Sequence, residues 1–223
     1  MLRYRLHRNP QSSHQQIARI LERERPARIL DVGAAGGFLG RLLHGSGLII
    51  DAVEPDMRCA DEARPFYRRV IVSGIEQADL GDERYDAVVC ADVLEHLPEP
   101  AATLHKLKRN AVPGALFIVS VPNVAHISIR LMLLAGRFPR MDKGILDRGH
   151  LHFFTRRTAG DMLKEAGLRV ERTIPTPVPL EELLPADSFT CRVLMLAQAP
   201  LIGAAPGLFA YQWILLARQP LEP

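Results

Sequence analysis

The stretch Ile29-Leu-Asp-Val-Gly-Ala-Ala-Gly-Gly37 decides how this chain is expected to fold. It is an apolar run that passes directly into a cluster of glycines, a pattern typical of a buried strand that turns sharply into a helix. Because glycine has no side chain, such a turn lets a ligand approach the backbone, and the following helix N-terminus offers free N–H groups. We therefore predict a strand over 28–33, a helix over 38–44 and a ligand site between them.

Outward from this turn, apolar segments alternate with amphipathic ones along most of the chain. The apolar segments predict six further strands, at 48–54, 70–73, 85–91, 115–121, 168–174 and 211–217. Helical spacing predicts helices at 14–23, 57–64, 100–111 and 155–166, with Pro113-Gly114 and Gly167 as stop signals for the last two. Strands that alternate with helices of this length form βαβ units. The sequence therefore predicts an α/β fold with a doubly wound, mostly parallel seven-stranded sheet and helices on both faces.

The composition is that of an ordinary globular protein. The chain has 223 residues, of which 48% are hydrophobic and 24% charged; these values exclude disordered and fibrous proteins and suit a single domain over 1–223. The net charge of +3 is too small to indicate a nucleic-acid partner. Cys59, Cys90 and Cys191 lie far apart, which argues against disulfides and indicates a reducing compartment. No secretory signal follows Met1, so we expect a cytoplasmic protein.

The glycine turn lacks the fingerprint of dinucleotide-binding proteins. That fingerprint needs glycine at its first, third and sixth positions, whereas from Gly33 the third is Ala35 and the sixth is Phe38. Asp31 would repel a pyrophosphate, but its carboxylate suits a cationic amino group. Glu54 ends the second strand, where it is either a solvated strand end or an acceptor for both hydroxyls of a ribose. The pattern favours S-adenosylmethionine, which has an adenosine and an amino-acid end but no phosphate.

Four motifs together resemble the class I S-adenosylmethionine-dependent methyltransferases. They are Leu30-Asp-Val-Gly-Ala-Ala-Gly-Gly37, Val53-Glu-Pro-Asp56, Tyr85-Asp-Ala-Val-Val-Cys-Ala-Asp-Val-Leu-Glu-His-Leu97 and Ser120-Val-Pro-Asn123. The resemblance is strongest to the ubiquinone-type O-methyltransferase branch and covers about residues 28–170, where 144–155 is similar to a segment of bacterial methyltransferase-domain proteins. It implies the Rossmann-like methyltransferase fold, with an antiparallel last strand. It also implies methyl transfer from S-adenosylmethionine, leaving S-adenosylhomocysteine, to a small-molecule or lipid-linked acceptor, with oxygen as the acceptor atom in that branch.

The resemblance also assigns the cofactor contacts. It implies that the methionine end lies against the glycine turn, that a strand-end carboxylate binds the ribose, and that the segment after the third strand flanks the adenine. The matching positions are Asp31, Gly33, Ala35 and Gly37 for the methionine end, Glu54 for the ribose, Gly74, Ile75 and Glu76 for the adenine, and Asp92 and Val93 beside the methionine portion. Ala35 departs from the family's G-x-G-x-G pattern, and its methyl group is expected to narrow the turn.

Histidines are the candidates for a general base. The sulfonium already activates the methyl group, so the protein mainly aligns the acceptor and excludes water, but a hydroxyl acceptor also needs a base near neutral pH. The candidate catalytic residues are His96, after the fourth strand, and His150 and His152, with His126 as a further possibility. Three of them have a structural interpretation as well: His96 caps a helix or holds a loop, and His150 and His152 belong to a short strand with one buried face.

Two segments interrupt the alternation of strands and helices. One is 123–154, predicted as an insertion or lid between core segments 12–122 and 155–218, and the other is the proline-rich 175–185. The acceptor is expected on this side of the molecule. A basic run in the insertion is either a solvated helix face or a contact for an anionic acceptor; it consists of Arg130, Arg137, Arg140 and Lys143.

Three expectations concern what the chain does not bind. The spacing of Asp92, Glu95 and His96 is compatible with a metal, but a place in the cofactor pocket explains Asp92 better, so we predict no metal. The fourth strand is not followed by the Asn/Asp-Pro-Pro-Tyr/Phe signature, which predicts no nucleic-acid substrate. The uncharged segment 193–217 is interrupted by prolines and glycines, so we predict a helix end, a turn and a buried strand. A transmembrane span is not expected there, although a weak peripheral membrane contact stays open.

Two classes of function remain open at this point. The first is a methyltransferase that acts on a small-molecule or lipid-linked acceptor. The alternative is a methyltransferase-like module that binds the cofactor or a partner without turnover, which the Ala35 departure and the lack of an obvious base leave open. An NAD-dependent oxidoreductase is disfavoured by the failed fingerprint. The oligomeric state is expected to be a monomer or a homodimer.

Overall fold

The computed structural model describes residues 9–182 and 188–221 and contains a seven-stranded sheet in the order β3-β2-β1-β4-β5-β7-β6. The strands are β1 (Arg28–Val32), β2 (Ile49–Glu54), β3 (Arg69–Val72), β4 (Tyr85–Ala91), β5 (Ala111–Pro122), β6 (Arg169–Thr176) and β7 (Gln212–Arg218). Strands β1 to β5 pair in parallel, and β7 runs antiparallel to both β5 and β6. The predicted fold class and the antiparallel last strand are therefore confirmed.

Helices cover both faces of the sheet. They are α1 (Ser13–Glu24), α2 (Phe38–Leu42), α3 (Met57–Ala63), α4 (Pro100–Arg109), α5 (Ile127–Leu134), α6 (Arg156–Glu165), α7 (Phe189–Ala204) and α8 (Pro206–Phe209), with single 3₁₀ turns at Arg64–Phe66, Leu94–His96 and Leu180–Glu182. Successive residues of β4 point to opposite cores, because side chains alternate along a strand. Val88 and Cys90 join the core under α4 and α6, whereas Ala87 and Val89 join the core under α1, α2 and α3.

The helix predicted over 100–111 ends earlier than its sequence suggests. It stops at Arg109, and Ala111 already belongs to β5, so Pro113-Gly114 lies inside a strand and is not a helix stop. The strand accommodates the pair because Gly114 takes a left-handed φ of 80° and the pairing with β4 shifts register between Tyr85 and Ala87. A local stop signal was overridden here by pairing with a neighbouring strand.

The segment before the last strand is more helical than predicted. The turn expected near Pro200 is absent, and α7 continues through this proline to Ala204. Gln198 fixes the helix against the chain that leaves β6, because its side-chain amide exchanges two hydrogen bonds with the backbone of Val178, at 2.6 and 3.3 Å. Across 9–182 and 188–221 no helix is long and apolar enough to cross a membrane. Residues 183–185 of the predicted proline-rich segment lie outside the described residues.

The order of the strands determines where a ligand binds. The order of strands reverses direction between the neighbouring strands β1 and β4. Open α/β sheets bind ligands next to such a reversal, at the carboxyl ends of the strands. The glycine turn, Glu54, Asp92 and Asn123 all follow or end strands at this edge. One edge of the sheet therefore collects most of the residues that the sequence singled out.

Candidate cofactor and acceptor site

Two positions in the turn after β1 require glycine, because a side chain there would clash with neighbouring atoms. Gly33 has a φ of 74°, and a β-carbon added there would lie 2.5 Å from Cγ2 of Val93. Gly37 has a φ of 79°, and its added β-carbon would lie 2.9 Å from the Cα of Ala63. Ala35 also adopts a left-handed φ, of 46°, which costs an alanine roughly 1 kcal/mol or more. The turn is thus packed between α3 and the end of β4, with Ala35 held in a strained conformation.

Glu54 is buried, with 6% of its surface exposed, so the interpretation as a solvated strand end was wrong. One carboxylate oxygen accepts the Ala35 N–H at 2.7 Å, and the other accepts the Asp56 N–H at 2.9 Å. These bonds join the glycine turn to the end of β2. Each oxygen keeps a second lone pair, so the same carboxylate can still accept hydrogen bonds from a ribose.

Asp31 is also buried, and it lies at the end of β1 beneath the turn. The hydroxyl of Tyr67 donates a hydrogen bond to its Oδ2 at 2.6 Å and accepts one from the Gly40 N–H at 3.0 Å. Burial raises the pKa of Asp31 to about 7, a rise that Tyr67 opposes and Glu54 assists. An ammonium group beside Asp31 would stabilise the ionised form. Sequence reasoning missed Tyr67, which no motif connects to Asp31.

Asp92 occupies a strained backbone position directly after β4, with a φ of 57°. Its Oδ1 accepts hydrogen bonds from the Ser120 hydroxyl at 2.8 Å and from the Gln212 side chain at 2.9 Å. Ser120 lies on β5, and Gln212 begins β7, so three neighbouring strands fix this carboxylate. Neither partner was identified from the sequence, because Gln212 lies 120 residues away and carries no motif.

The segment predicted to flank the adenine is held by a lysine from α4. The ammonium of Lys106 donates to the backbone carbonyls of Ile75, Glu76 and Ala78 at 2.8–2.9 Å. The side chain of Ile75 packs into the core, whereas Glu76 is exposed. The loop thus keeps a defined backbone path next to the ends of β2 and β3.

The structure brings His96 and His150 together from distant parts of the sequence. Their ring centroids lie 4.7 Å apart, with the rings nearly perpendicular. Nδ1 of His96 lies 3.1 Å from the carbonyl oxygen of Gly149, and Nδ1 of His150 lies 3.1 Å from that of Ile145. Burial lowers the pKa of His150, and the neighbouring His96 lowers it further. The two rings form a pair at the junction of β4 and the insertion.

The other two histidines have separate environments. His152 stacks on Phe154, and its Nε2 contacts the carbonyl oxygen of Pro98 at 3.1 Å. The short strand expected at 150–153 is absent, because the N–H groups of Leu151 and His152 both donate to the Glu95 carbonyl. His126 is the N-cap of α5 and accepts the N–H of Ser128. Of the four, His96 and His150 are the pair that shares one location.

Glu95 lies beside this histidine pair and is fully buried. Neither of its carboxylate oxygens has a hydrogen-bond partner within the described part of the chain. Burial raises the pKa of Glu95 well above its ordinary value, and the charges of Asp92 and Asp147 act in the same direction. One ligand-type atom from each of Glu95, His96 and His150 lies within 4.8 Å of the other two.

Two members of the predicted basic run make contacts within the insertion. Arg130 donates to the carbonyl of Ala125 at 2.7 Å. Arg140 donates to the carbonyls of Arg148 and His150 at 2.7 and 2.9 Å, and its guanidinium lies over a phenylalanine ring. Two of the four predicted bases therefore shape the insertion, which weakens the interpretation of the run as an anion site.

Comparison with known proteins identifies the family of this chain. Residues 2–173 match a family model described as a methyltransferase domain. The chain belongs to this methyltransferase-domain family. A ubiquinone biosynthesis O-methyltransferase of Alkalilimnicola ehrlichii is 34% identical over 105 residues, which cover 43% of this chain and 42% of the relative. The chain matches about half the length of the first curated relatives.

Solved structures support the fold over nearly the whole chain. A SAM-dependent methyltransferase from Archaeoglobus fulgidus aligns with a TM-score of 0.62 at 19% identity, covering 93% of this chain and 95% of the other. Magnesium protoporphyrin IX methyltransferase from Synechocystis PCC 6803, with bound SAH, aligns with a TM-score of 0.64 at 17% identity, covering 94% and 83%. The family's fold is thus the Rossmann-like methyltransferase fold predicted from the motifs.

The unusual pKa of Asp31 predicts how stability depends on pH. Between pH 3.8 and about 7 the folded protein binds this proton more tightly than the unfolded chain, so stability falls as the pH rises through that window. Asp31→Asn removes the titration and keeps an oxygen that accepts from Tyr67. The free energy of unfolding of the variant minus that of the parent should therefore increase by at least about 1 kcal/mol between pH 5 and pH 8.

Urea unfolding at several pH values measures this difference. The matched control is Asp61→Asn, because Asp61 is an exposed carboxylate whose ion pair with Arg64 is also exposed. Its curve should run parallel to that of the parent. Parallel curves for Asp31→Asn as well would contradict a raised pKa at this position.

Proposed function

We propose that this chain binds S-adenosylmethionine at the carboxyl edge of β1, β2 and β4 and transfers its methyl group to a small-molecule acceptor. The observation that carries the proposal is the set of carboxylates around the glycine turn: Asp31, Glu54 and Asp92. Such a site repels a pyrophosphate but attracts a ligand with an ammonium and a sulfonium, and it offers a buried acceptor for a ribose. The same argument disfavours a nicotinamide dinucleotide.

The relatives support this proposal through what they are named for. The curated relative from A. ehrlichii is a ubiquinone biosynthesis O-methyltransferase, and the Synechocystis structure holds SAH. Both of these proteins are named as methyltransferases that act in small-molecule chemistry. We extend cofactor and reaction class to this chain, because its own glycine turn and Glu54 stand at the positions where the family's motifs hold the cofactor.

For methyl transfer, the protein mainly binds the cofactor and the acceptor, aligns them and excludes water. When bound, S-adenosylmethionine supplies an activated methyl group on a sulfonium. Asp31 holds the ammonium, Glu54 accepts from the ribose hydroxyls, and Asp92 and Val93 border the methionine portion. For a hydroxyl acceptor, His150 or His96 takes the proton, because burial keeps His150 neutral and able to accept it. His152 remains a third candidate, although its Nε2 already donates to Pro98.

The surface near the site suggests an acceptor with an apolar portion. Helix α5 leaves the end of β5 and exposes Leu131, Leu133 and Leu134, the last with 85% of its surface accessible. Exposed leucines on one short helix favour contact with an apolar group. We therefore propose a lipid-linked or otherwise amphiphilic acceptor, delivered with weak contact between α5 and a lipid surface. The three free cysteines support a reducing compartment such as the cytoplasm.

Glu54→Gln tests the cofactor assignment. The parent should bind S-adenosylhomocysteine in calorimetry and should not bind NAD. Gln keeps the shape but loses the charge and one acceptor oxygen, so affinity should fall roughly tenfold or more, since ~1.4 kcal/mol corresponds to a factor of ten. Its melting temperature should also fall, because one of the two backbone N–H groups loses its partner.

The control for this experiment is Asp56→Asn, two residues along the chain. Asp56 is the N-cap of α3 and accepts two backbone N–H groups, a role that asparagine fills equally well. It should bind S-adenosylhomocysteine as the parent does. Equal affinity of parent and Glu54→Gln, measured below both melting temperatures, would show that Glu54 does not contact the ribose.

Turnover separates the enzyme from a module that only binds. The purified protein is incubated with a bacterial extract and methyl-labelled S-adenosylmethionine, and labelled products are identified by mass spectrometry. We expect a labelled small molecule that partitions into organic solvent, with a lower yield from Glu54→Gln. Tight binding of S-adenosylhomocysteine with no labelled product above that of heat-denatured protein would favour the module without turnover.

The insertion 123–154 is proposed as a lid over the acceptor side of the site. Both of its ends are fixed: the Asn123 side chain donates to the Ala210 carbonyl at 2.8 Å, and the Leu151 N–H donates to the Glu95 carbonyl at 2.7 Å. Between them, Gly136 and Gly144 take left-handed φ values, which suits hinges. Amide hydrogen exchange over 127–149 should slow several-fold when S-adenosylhomocysteine binds. Unchanged exchange over 127–149 when S-adenosylhomocysteine binds would argue against a lid.

A further inference from the structure

A carboxylate and two imidazoles converge next to the proposed cofactor site. We propose that Glu95, His96 and His150 bind a divalent first-row transition-metal ion. This proposal departs from the sequence-based expectation of no metal, which considered His96 but had no means of placing His150 beside it. Because all three side chains lie where β4 meets the insertion, the ion would stand between the cofactor edge and the acceptor side.

The strongest evidence is the environment of Glu95. Its side chain is completely buried, and neither carboxylate oxygen has a hydrogen-bond partner within residues 9–182 and 188–221. A buried carboxyl group without a partner costs several kcal/mol unless something compensates it. A metal ion bound by the carboxylate would provide that compensation, and the nearby carboxylates of Asp92 and Asp147 would favour the positive charge.

The three ligand atoms are close enough to share one ion after a small adjustment. They lie within 4.8 Å of one another. Ligands held about 2.1 Å from a common ion are separated by no more than about 4.2 Å, so modest side-chain rotations bring the atoms into range. The ion would also offset the repulsion between the lone pairs of the three ligand atoms as they approach one another.

Both histidines are oriented as metal ligands usually are. A carbonyl oxygen only accepts hydrogen bonds, so Nδ1 of His96 donates to Gly149 and Nδ1 of His150 donates to Ile145. In each neutral ring the lone pair is then on Nε2. A backbone partner that fixes the tautomer in this way is a regular feature of histidines that bind metals.

A further set of contacts holds these partners in place. Arg140 donates to the carbonyl of His150, and the Gly149 N–H donates to Asp147. A β-carbon at Gly149 would lie only 3.1 Å from Nδ1 of His96, so glycine allows the close approach of the loop. The insertion is therefore built to present His150 to the residues that follow β4.

The donor atoms select the class of metal. Two imidazole nitrogens and one carboxylate oxygen suit Zn²⁺, Mn²⁺, Fe²⁺ or Co²⁺, whereas Mg²⁺ and Ca²⁺ prefer sites made of oxygen alone. Three protein ligands also leave coordination positions open, as in catalytic sites rather than purely structural ones. We expect Zn²⁺ and Co²⁺ to bind more tightly than Mg²⁺.

The role of the ion rests on the proposed function. An acceptor hydroxyl bound at an open position would lose its proton to solvent more easily, because the ion stabilises the resulting oxyanion. The oxygen then forms a bond to the methyl carbon as the bond from that carbon to sulfur breaks, leaving S-adenosylhomocysteine. In this role His96 and His150 act through the metal, which replaces direct proton transfer to either ring.

Metal binding to the full chain is measured after treatment with a chelator, by calorimetry with Zn²⁺ and by the visible absorption of Co²⁺. We expect one ion per chain and Co²⁺ bands typical of nitrogen and oxygen ligands. Glu95→Gln and His150→Ala each remove one ligand and should weaken binding by at least about 100-fold, beyond the effect of losing an outer partner. His152→Gln is the matched control, two residues from His150, and should bind the ion like the parent.

Three readings decide the outcome. Circular dichroism identifies any variant that fails to fold, and the second ligand variant then carries the comparison. No binding of Zn²⁺ or Co²⁺ by the folded parent, or an equal loss in His152→Gln, overturns the proposal. Binding of S-adenosylhomocysteine is measured in parallel, so a chain that binds the ion but not this compound would refute the proposed function and leave the metal site standing.

Discussion

The carboxylate of Glu54 joins the turn after β1 to the start of the helix after β2, and it reinforces the backbone hydrogen bonds from Gly33 and Ala34 to the carbonyl of Val53. One oxygen accepts from the turn after β1, and the other accepts from the start of the helix after β2. The bond to Ala35 opposes the strain of its left-handed backbone, so the turn is formed before any ligand arrives. The placement of Gly33 against Val93, and with it the path of the chain after β4, depends on this turn.

The same edge of the sheet collects more negative charge than a stable fold requires. Burial raises the pKa of Asp31 to about 7 and the pKa of Glu95 well above its ordinary value, and the neighbouring carboxylates act in the same direction. Neither is matched by a cationic side chain at hydrogen-bond distance within the described residues. Stability is commonly reduced in this way at functional sites, because groups held ready for a charged ligand repel one another without it. A cationic cofactor and a metal ion would each relieve part of this repulsion.

The strands could be predicted from the sequence because a parallel sheet covered on both faces leaves long apolar runs with clear ends. The prediction failed where a local signal conflicted with pairing, as at Pro113-Gly114, which lies inside β5. The site could be predicted only as far as its motifs reached. Glycines and Glu54 sit in a recognisable order, whereas Tyr67, Gln212 and the meeting of His150 with Glu95 arise from contacts across the fold. Such contacts leave no mark on local spacing.

The position of β7 between β5 and β6 affects when this site comes into being during synthesis. Gln212 steadies Asp92 from the last strand, and β6 pairs in the sheet only through β7. A nascent chain that has already produced the glycine turn, Glu54 and the insertion therefore still lacks one of the two side-chain donors to Asp92, and the edge of β5 is still unpaired. Closing the sheet requires pairing across a long stretch of sequence, which is slow compared with local helix formation. The full set of contacts around Asp92 therefore forms only once β7 has joined the sheet.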